Sequence, residues 1–197
     1  EQRLIQELRA GRSVTGYLSA DFGYGKTATA IYLWKKCLDS KIVAIPPFWF
    51  RQLKDLMLAT KGWLSYLLEH TEPSLLPRLE NIYRDHAERS LDELAKDIAT
   101  SKGISEAKAR EIVHEHIANR RDVTSTQSLL DFLRDAAEIA QEADFKGLVM
   151  FADETQEFLR VEETGARDAI QTLSELIKGV RAMANTPVGL MLILPVN

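Results

Sequence analysis

A strand–loop–helix–strand unit near the start of the chain constrains the fold more than any other feature. Residues 13–19 (SVTGYLS) have the composition of a short buried strand, and residues 28–38 (ATAIYLWKKCL) have helical spacing. Residues 41–46 (KIVAIP) are predicted to form a second strand, which Pro46 and Pro47 would end. A helix that joins two strands within about 30 residues is a βαβ unit, and such a unit predicts parallel strands.

Two further apolar runs, near the other end of the chain, alternate with a helix. Residues 146–154 (KGLVMFADE) and 187–195 (PVGLMLILP) read as buried strands, and residues 166–184 have helical spacing between them. Fully apolar strands that alternate with helices are typical of a parallel sheet covered on both faces. The sequence therefore predicts an α/β fold with three layers: helices, a parallel sheet and helices.

The middle of the chain, residues 48–144, is predicted to be almost wholly helical, and it is long for one crossover. We interpret it as a helical insertion or subdomain within a core formed by residues 1–47 and 145–197. Its clearest helix covers residues 128–143, which carry one apolar stripe. Core or subdomain contacts are predicted for the three tryptophans: Trp34, Trp49 and Trp63.

Composition narrows the class of protein. The chain of 197 residues is 45% hydrophobic and 27% charged, which suits one domain or one domain with a large insertion. The net charge of -4 does not support a dominantly electrostatic nucleic-acid binder, although a local basic patch is left open. A single cysteine, Cys37, excludes disulfide scaffolds and cysteine-based zinc sites within this chain, and it fits a cytoplasmic location. No apolar run reaches the roughly 18 residues of a membrane span, so no membrane partner is expected.

The two ends of the chain suggest a fragment. The chain begins at Glu1 rather than at a methionine, and it stops at Asn197, directly after an apolar strand. Because natural domains seldom stop at the tip of a buried strand, we expect a piece of a longer protein.

The loop after the first strand has the ending of a phosphate-binding loop. Residues 20–27 (ADFGYGKT) follow the pattern G-x-x-x-x-G-K-[ST] at every position except the first. Gly23 and Gly25 allow the backbone to turn its N–H groups inward around phosphates. Lys26 is predicted to place a positive charge between the β- and γ-phosphates, and the Thr27 hydroxyl is predicted to ligate Mg²⁺.

An alanine at the first position can serve if its backbone keeps a negative φ, because alanine has the smallest side chain after glycine. The alternative is a chance GKT in a turn, which would bind no nucleotide. The residues predicted to contact ATP are Ala20, Asp21, Phe22, Gly23, Tyr24, Gly25, Lys26, Thr27 and Ala28.

Two acids follow the apolar strand at 146–154. Asp153 is predicted to hold the Mg²⁺ shell, directly or through water, and Glu154 to act as the general base that polarises the attacking water. The alternative is an ordinary pair of surface acids at a strand end.

The order of these motifs resembles the core of the AAA+ superfamily of P-loop ATPases, over residues 1–46 and 146–197. More narrowly, ADFGYGKT resembles the G-[DE]-[FY]-G-x-G-K-[ST] loops of large bacterial phage-defence ATPases, the BREX type especially. FADETQEFL similarly resembles their D-E-x-x-x-[FY] segment. The resemblance implies Mg-ATP hydrolysis in a homo-oligomer or multi-protein complex, with a role in defence or DNA transactions. The fifth core strand, the lid and an arginine finger in a motif position are not present in this chain.

The same resemblance suggests further site residues. In the additional-strand class of P-loop ATPases, a polar residue ends a strand between the two motif strands, and it senses the γ-phosphate. Asn197 would be that residue here, and the alternative is simply a polar residue that leaves a strand. Three arginines could act in trans on a neighbouring subunit's nucleotide, and the alternative is that they are ordinary surface arginines: Arg160, Arg167 and Arg181.

Weaker signals lie in the helical middle. Residues 98–113 resemble an incomplete helix-hairpin-helix, which would grip DNA phosphates, but a plain helical hairpin is the favoured interpretation. The pair His114 and His116 invites a metal interpretation, but side chains two positions apart point to different sides of a helix.

Three functions are therefore left open. The first is an ATPase, and the second is a nucleotide-binding switch or scaffold with little hydrolysis, whose helical middle docks a protein or DNA. In the third, no nucleotide binds.

Overall fold

The structure is a computed structural model that describes residues 2–21, 25–118, 124–160, 166–183 and 185–195. None of the helices in these ranges is long and apolar enough to cross a membrane. The elements are, in chain order, α1 (Gln2–Arg9), β1 (Val14–Ala20), α2 (Lys26–Asp39), β2 (Val43–Trp49), α3 (Leu53–Thr71), α4 (Leu76–Lys102), α5 (Glu106–Ala118), α6 (Thr126–Glu142), β3 (Leu148–Asp153), α7 (Thr155–Leu159), α8 (Ala166–Ala182) and β4 (Val188–Pro195), with a short 3₁₀ turn (Pro73–Leu75) before α4.

The four strands form one sheet in the order β1-β4-β3-β2, and every neighbouring pair is parallel. The predicted α/β fold with a parallel sheet is confirmed. The last strand in the chain, β4, lies between β1 and β3 and pairs with both of them. The carboxyl ends of β1 and β3 therefore lie at the same edge of the sheet with one strand between them.

Strand β2 continues through Pro46 and Pro47 to Trp49, so the prediction that the prolines end this strand is wrong. Val43 donates its backbone N–H to the carbonyl of Gly147, on the side of β3. Because successive backbone nitrogens of a strand point to opposite sides, the nitrogen of Pro46 points away from β3. In the described part of the chain, β2 has no neighbour on that side. The missing N–H of a proline costs no ladder hydrogen bond at such an edge. The register of the β2–β3 pairing shifts at the two prolines.

The tryptophans have different environments. The Trp34 indole packs against the core and donates to the carbonyl of Ala44 on the outer edge of β2 at 2.7 Å. Trp63 packs edge-on against Trp34, with ring centroids 6.0 Å apart. Trp49 is 65% exposed, so its predicted core contact is wrong. It follows two prolines at the solvent-facing edge of the sheet, where no described element covers it.

Helices cover both faces of the sheet, as predicted. Helices α1 and α2 pack on one face, and α3, α6 and α8 pack on the other, so the fold has three layers. The strand residues that face α1 and α2 are Ala44, Val149, Phe151, Met191 and Ile193. The strand residues that face the other layer are Val43, Ile45, Leu148, Met150, Ala152, Val188, Leu190 and Leu192.

The predicted helical region at 48–144 does not pack as one unit. Its helices α3 and α6 share the main core with the sheet, so they form part of one outer layer. Among the described residues, the C-terminal half of α4 and α5 share a small apolar cluster of their own: Ala95, Ile98, Ala109 and Val113. The α4–α5 hairpin therefore has a core separate from that of the sheet.

Candidate functional site

The candidate site lies at the edge of the sheet where β1 and β3 have their carboxyl ends, on either side of β4. Ala20 ends β1, and Asp153 ends β3. In open parallel sheets, ligands bind at this edge, because the loops after the strands converge there. Ala20 lies in the extended strand, so its backbone meets the condition under which alanine can replace the first glycine of the loop.

The loop turns into α2 at Gly25. Its backbone lies in the left-handed region, with φ 75° and ψ 23°, a conformation that glycine adopts without steric cost. Gly25 caps α2 without a side-chain hydrogen bond, and its carbonyl accepts the N–H of Thr29 at 2.9 Å. Gly25 therefore supplies no side-chain cap to the first N–H groups of α2, and N–H groups at the start of a helix can bind phosphate oxygens.

The Lys26 side chain reaches back from the start of α2 to the residue that follows β1. Its Nζ donates to the carbonyl of Asp21 at 2.8 Å. The ammonium group of Lys26 is therefore held between the end of β1 and the N-terminus of α2. Its positive charge and that helix end together favour an anion at this place.

A hydrogen bond joins the two motifs. The hydroxyl of Thr27 donates to Oδ2 of Asp153 at 2.9 Å, although the two residues lie 126 positions apart in the chain. Asp153 is only 9% exposed, and its other oxygen, Oδ1, accepts the N–H of Glu154 at 2.8 Å. Thr27 is exposed, so this pair stands at the border between the buried strand end and solvent. Ala28 follows on the exposed side of α2.

The chemistry of this pair fits Mg²⁺. A hydroxyl and a carboxylate are hard oxygen ligands, and Mg²⁺ in nucleotide sites takes one or two protein oxygens together with phosphates and waters. In the described ranges, no three His, Cys, Asp or Glu side chains lie together as a complete protein cage. Thr27 and Asp153 supply two such oxygens, and phosphate and water oxygens would complete the coordination of a bound Mg²⁺.

Glu154 adopts a strained backbone at the corner after β3. Its φ of 53° and ψ of 35° lie in the left-handed region, which costs a residue with a side chain on the order of 1–3 kcal/mol. Its carbonyl accepts the N–H of Glu157 at 2.8 Å, and its carboxylate accepts a hydrogen bond from the Gln156 side chain. Outliers of this kind cluster at functional sites because the surrounding structure must hold them.

The sequence did not predict helix α7 or its contacts with the site. Phe158 of α7 stacks on Phe50, with ring centroids 4.6 Å apart and planes 8° apart. The N–H of Phe50 donates to the carbonyl of Asp153 at 2.9 Å. These contacts fix α7 and the end of β2 against the corner. Gln156 was also missed, although the apolar residue four positions after Glu154 was a signal for a short helix here.

Four predicted site residues lie outside the described residues: Phe22, Gly23, Tyr24 and Asn197. Their roles stay predictions.

Two of the three arginines proposed to act in trans have partners in their own chain. Arg160 donates to Glu157 at 2.6 Å, and it is highly exposed. The Nε of Arg181 donates to the Thr15 hydroxyl at 2.5 Å, near the amino end of β1 and therefore away from the candidate site. The Arg167 side chain lies outside the description.

The helical hairpin has the local geometry of a plain turn between helices. Gly103 ends α4 in the left-handed conformation, with φ 60°. Arg110 of α5 pairs with Asp92 of α4 at 2.9 Å, so one of the positive charges of the hairpin is neutralised within it. His114 belongs to no metal-binding group in the described part of the chain, and the His116 side chain lies outside the description.

Comparisons of the chain with protein-family models, with curated proteins and with solved structures found no match. The motifs and the geometry of the site therefore carry the functional interpretation.

Proposed function

We propose that this chain binds Mg-ATP at the carboxyl edge of its sheet and hydrolyses it. The observation that carries the proposal is the 2.9 Å hydrogen bond between the Thr27 hydroxyl and the Asp153 carboxylate. Each of the two residues belongs to a motif that was recognised separately in the sequence. Two chance motifs 126 positions apart would have no reason to meet at the same strand edge with complementary metal-binding atoms.

The residues would divide the work as follows. Gly25 and the first N–H groups of α2 would bind the phosphates, and Lys26 would neutralise their negative charge. Thr27 and Asp153 would hold the metal, which when bound neutralises charge that develops on the phosphates. Glu154 would orient a water molecule and accept its proton as the general base. The Thr27 hydroxyl and the Glu154 N–H donate to the Asp153 carboxylate and offset the cost of its burial. These bonds would hold the carboxylate in place to bind the metal.

The output of hydrolysis would be a conformational change within a larger complex. The resemblance of ADFGYGKT and FADETQEFL to loops of bacterial phage-defence ATPases supports a role in defence or a DNA transaction. The same resemblance supports a homo-oligomer or a multi-protein complex, because ATPases of this class act between subunits. The α4–α5 hairpin has an apolar core separate from that of the sheet, and it would be the region that contacts a protein partner or DNA.

A nucleotide-binding switch with little hydrolysis is the second candidate. One observation favours it: Oε2 of Glu154 accepts a hydrogen bond from the Gln156 side chain, so one of the two carboxylate oxygens is already engaged within the protein. If the other oxygen, Oε1, does not reach the attacking water, nucleotide would bind with little turnover.

Substitution of Glu154 by glutamine separates the two candidates. If the chain is an ATPase, Glu154→Gln lowers the hydrolysis rate by about 100-fold or more and leaves ATP binding within about threefold. Glu157→Gln, three residues later on α7, is the matched control and should keep the wild-type rate. Phosphate release and ATP titration are measured on the same samples. Wild-type protein that binds ATP with no hydrolysis above background supports the switch, and an unchanged rate in Glu154→Gln removes the base role.

A further inference from the structure

We propose that Gln156 is a positioning residue that sets the orientation of the Glu154 carboxylate for proton transfer, an inference that rests on the proposed ATPase function. Gln156 lies in the first turn of α7, and its Nε2 donates to Oε2 of Glu154. Gln156 is not among the site residues predicted from the sequence. The interaction is local, but it acts on the one side chain whose orientation the proposed chemistry needs.

The backbone of Glu154 is held on both sides, so the side chain is what remains to be oriented. The N–H of Glu154 donates to Asp153, and its carbonyl accepts from Glu157, each at 2.8 Å. These two bonds hold the left-handed corner without restricting the Glu154 side-chain dihedral angles. The Gln156 amide supplies the missing restraint, because it binds the far end of that side chain.

The orientation of the Gln156 amide is determined by Glu154. Oε1 of Gln156 is buried and has no hydrogen-bond partner among the described residues. Rotating the amide by half a turn would place Oε1 against Oε2 of Glu154, so two acceptor oxygens would face each other. The amide therefore keeps Nε2 on the carboxylate and leaves its own oxygen unpaired. A buried acceptor without a partner is unfavourable for stability, which argues that this arrangement serves the carboxylate.

The restraint distinguishes the two carboxylate oxygens of Glu154. Nε2 of Gln156 donates a hydrogen bond to Oε2, so Oε1 is the oxygen that we expect to accept the proton from water. A general base works only when the accepting atom is within hydrogen-bond reach of the proton in the productive geometry. A carboxylate free to rotate would spend only part of its time in that geometry, so the rate would fall while nucleotide binding remained.

Gln156→Met tests this role, because methionine keeps the length and helix propensity of glutamine and removes the amide. The expected result is a kcat for ATP hydrolysis lowered about 10- to 100-fold, with KM within about threefold of wild type. Gln171→Met is the matched control: Gln171 lies exposed on α8 and makes the same kind of bond, to Glu175 at 2.9 Å. This variant should keep the wild-type kcat.

A double variant tests whether Gln156 acts through Glu154. In a Glu154→Gln background, adding Gln156→Met should lower the residual single-turnover rate by less than about twofold, because the group that Gln156 orients is already lost. A further tenfold loss there would show that Gln156 acts independently of Glu154. That result would overturn the inference.

The outcomes also separate this inference from the function on which it rests. If wild type hydrolyses ATP and Glu154→Gln does not, the ATPase function stands, and an unchanged or raised kcat in Gln156→Met overturns the role of Gln156 alone. An unchanged kcat with a raised KM would also overturn it, because Gln156 would then act in binding. If wild type hydrolyses no ATP, or Glu154→Gln keeps the full rate, the function and the inference fail together.

Discussion

Replacing Thr27 by valine removes one oxygen atom at the place where the two halves of the candidate site meet. Valine has nearly the shape of threonine, so the first turn of α2 keeps its side-chain volume. Asp153 loses the donor on Oδ2 and keeps the Glu154 N–H on Oδ1. The substitution therefore changes the chemistry of the metal pair more than its packing.

The magnitude follows from the burial of the two partners. Loss of a hydrogen bond to a charged group costs about 1.5–3 kcal/mol when both groups are buried. Thr27 is exposed, so water can take the place of its hydroxyl, and we expect a loss of about 1 kcal/mol in the free energy of unfolding. For a chain of this size, that loss lowers Tm by about 2–4 °C.

Mg-ATP binding should change more than stability does. The variant lacks the protein hydroxyl that would ligate Mg²⁺, so its affinity for Mg-ATP should fall about 10-fold or more, which corresponds to at least about 1.4 kcal/mol. Affinity for ATP in excess EDTA should change by less than about threefold, because Thr27 then has no metal to bind. Calorimetric titration with and without Mg²⁺ measures both affinities.

Thr29→Val is the matched control. Thr29 is exposed on the same helix, two positions later. This variant should bind Mg-ATP as wild type does. If Thr27→Val also keeps the wild-type affinity for Mg-ATP, the Thr27–Asp153 pair is not a metal site, and the reasoning is refuted.

Two further predictions concern the fold. Gly179→Ala places a Cβ 2.2 Å from Cδ1 of Leu130, so we expect a loss of about 1–3 kcal/mol in the free energy of unfolding. At Gly62 an added Cβ would meet no atom within 4 Å, so Gly62→Ala should stabilise the fold by about 0.5–1 kcal/mol. Urea denaturation measures both, and equal effects would contradict the packing of α8 on α6. Burial raises the pKa of Asp131, but hydrogen bonds and charges, led by the hydrogen bond from Arg89, outweigh burial and hold the pKa below its usual value of 3.8. A carboxylate with a lowered pKa in the folded state contributes stability above about pH 4, and this stability is lost as the pH falls through the folded-state pKa. The difference in free energy of unfolding between wild type and Asp131→Asn should therefore shrink between pH 7 and pH 3. A difference that stays constant over that range would show that the charge of Asp131 does not join α4 to α6.

The sequence predicted the sheet and the meeting of Thr27 with Asp153 because both depend on strong local signals. Apolar strands between helices predict a parallel sheet. In such a sheet the carboxyl ends of all strands lie at the same edge, so the loops after them lie close together. The motif residues then meet across a long separation because Thr27 lies in the first turn of the helix that follows β1 and Asp153 is the last residue of β3. Such signals survive in a single sequence.

The features that the sequence did not predict depend on tertiary position. Whether Pro46 ends a strand depends on whether that strand has an outer neighbour, and the sheet order shows that β2 has none among the described residues. Trp49 is exposed for the same reason, since it lies at that edge. Gln156 looked like an ordinary polar residue after a strand until the left-handed corner at Glu154 brought its amide onto the carboxylate.

The most direct test of the central claim is calorimetric titration of Mg-ATP into wild-type protein and into the Lys26→Ala variant. Lys35→Ala, an exposed lysine on the same helix, is the control for the loss of one positive charge. The account predicts saturable binding to wild type and to Lys35→Ala, and an affinity lower by about 10-fold or more in Lys26→Ala, because the Lys26 ammonium group is held at the carbonyl of Asp21, beside the start of α2. Absence of binding to wild type, or equal binding to all three proteins, would contradict the account.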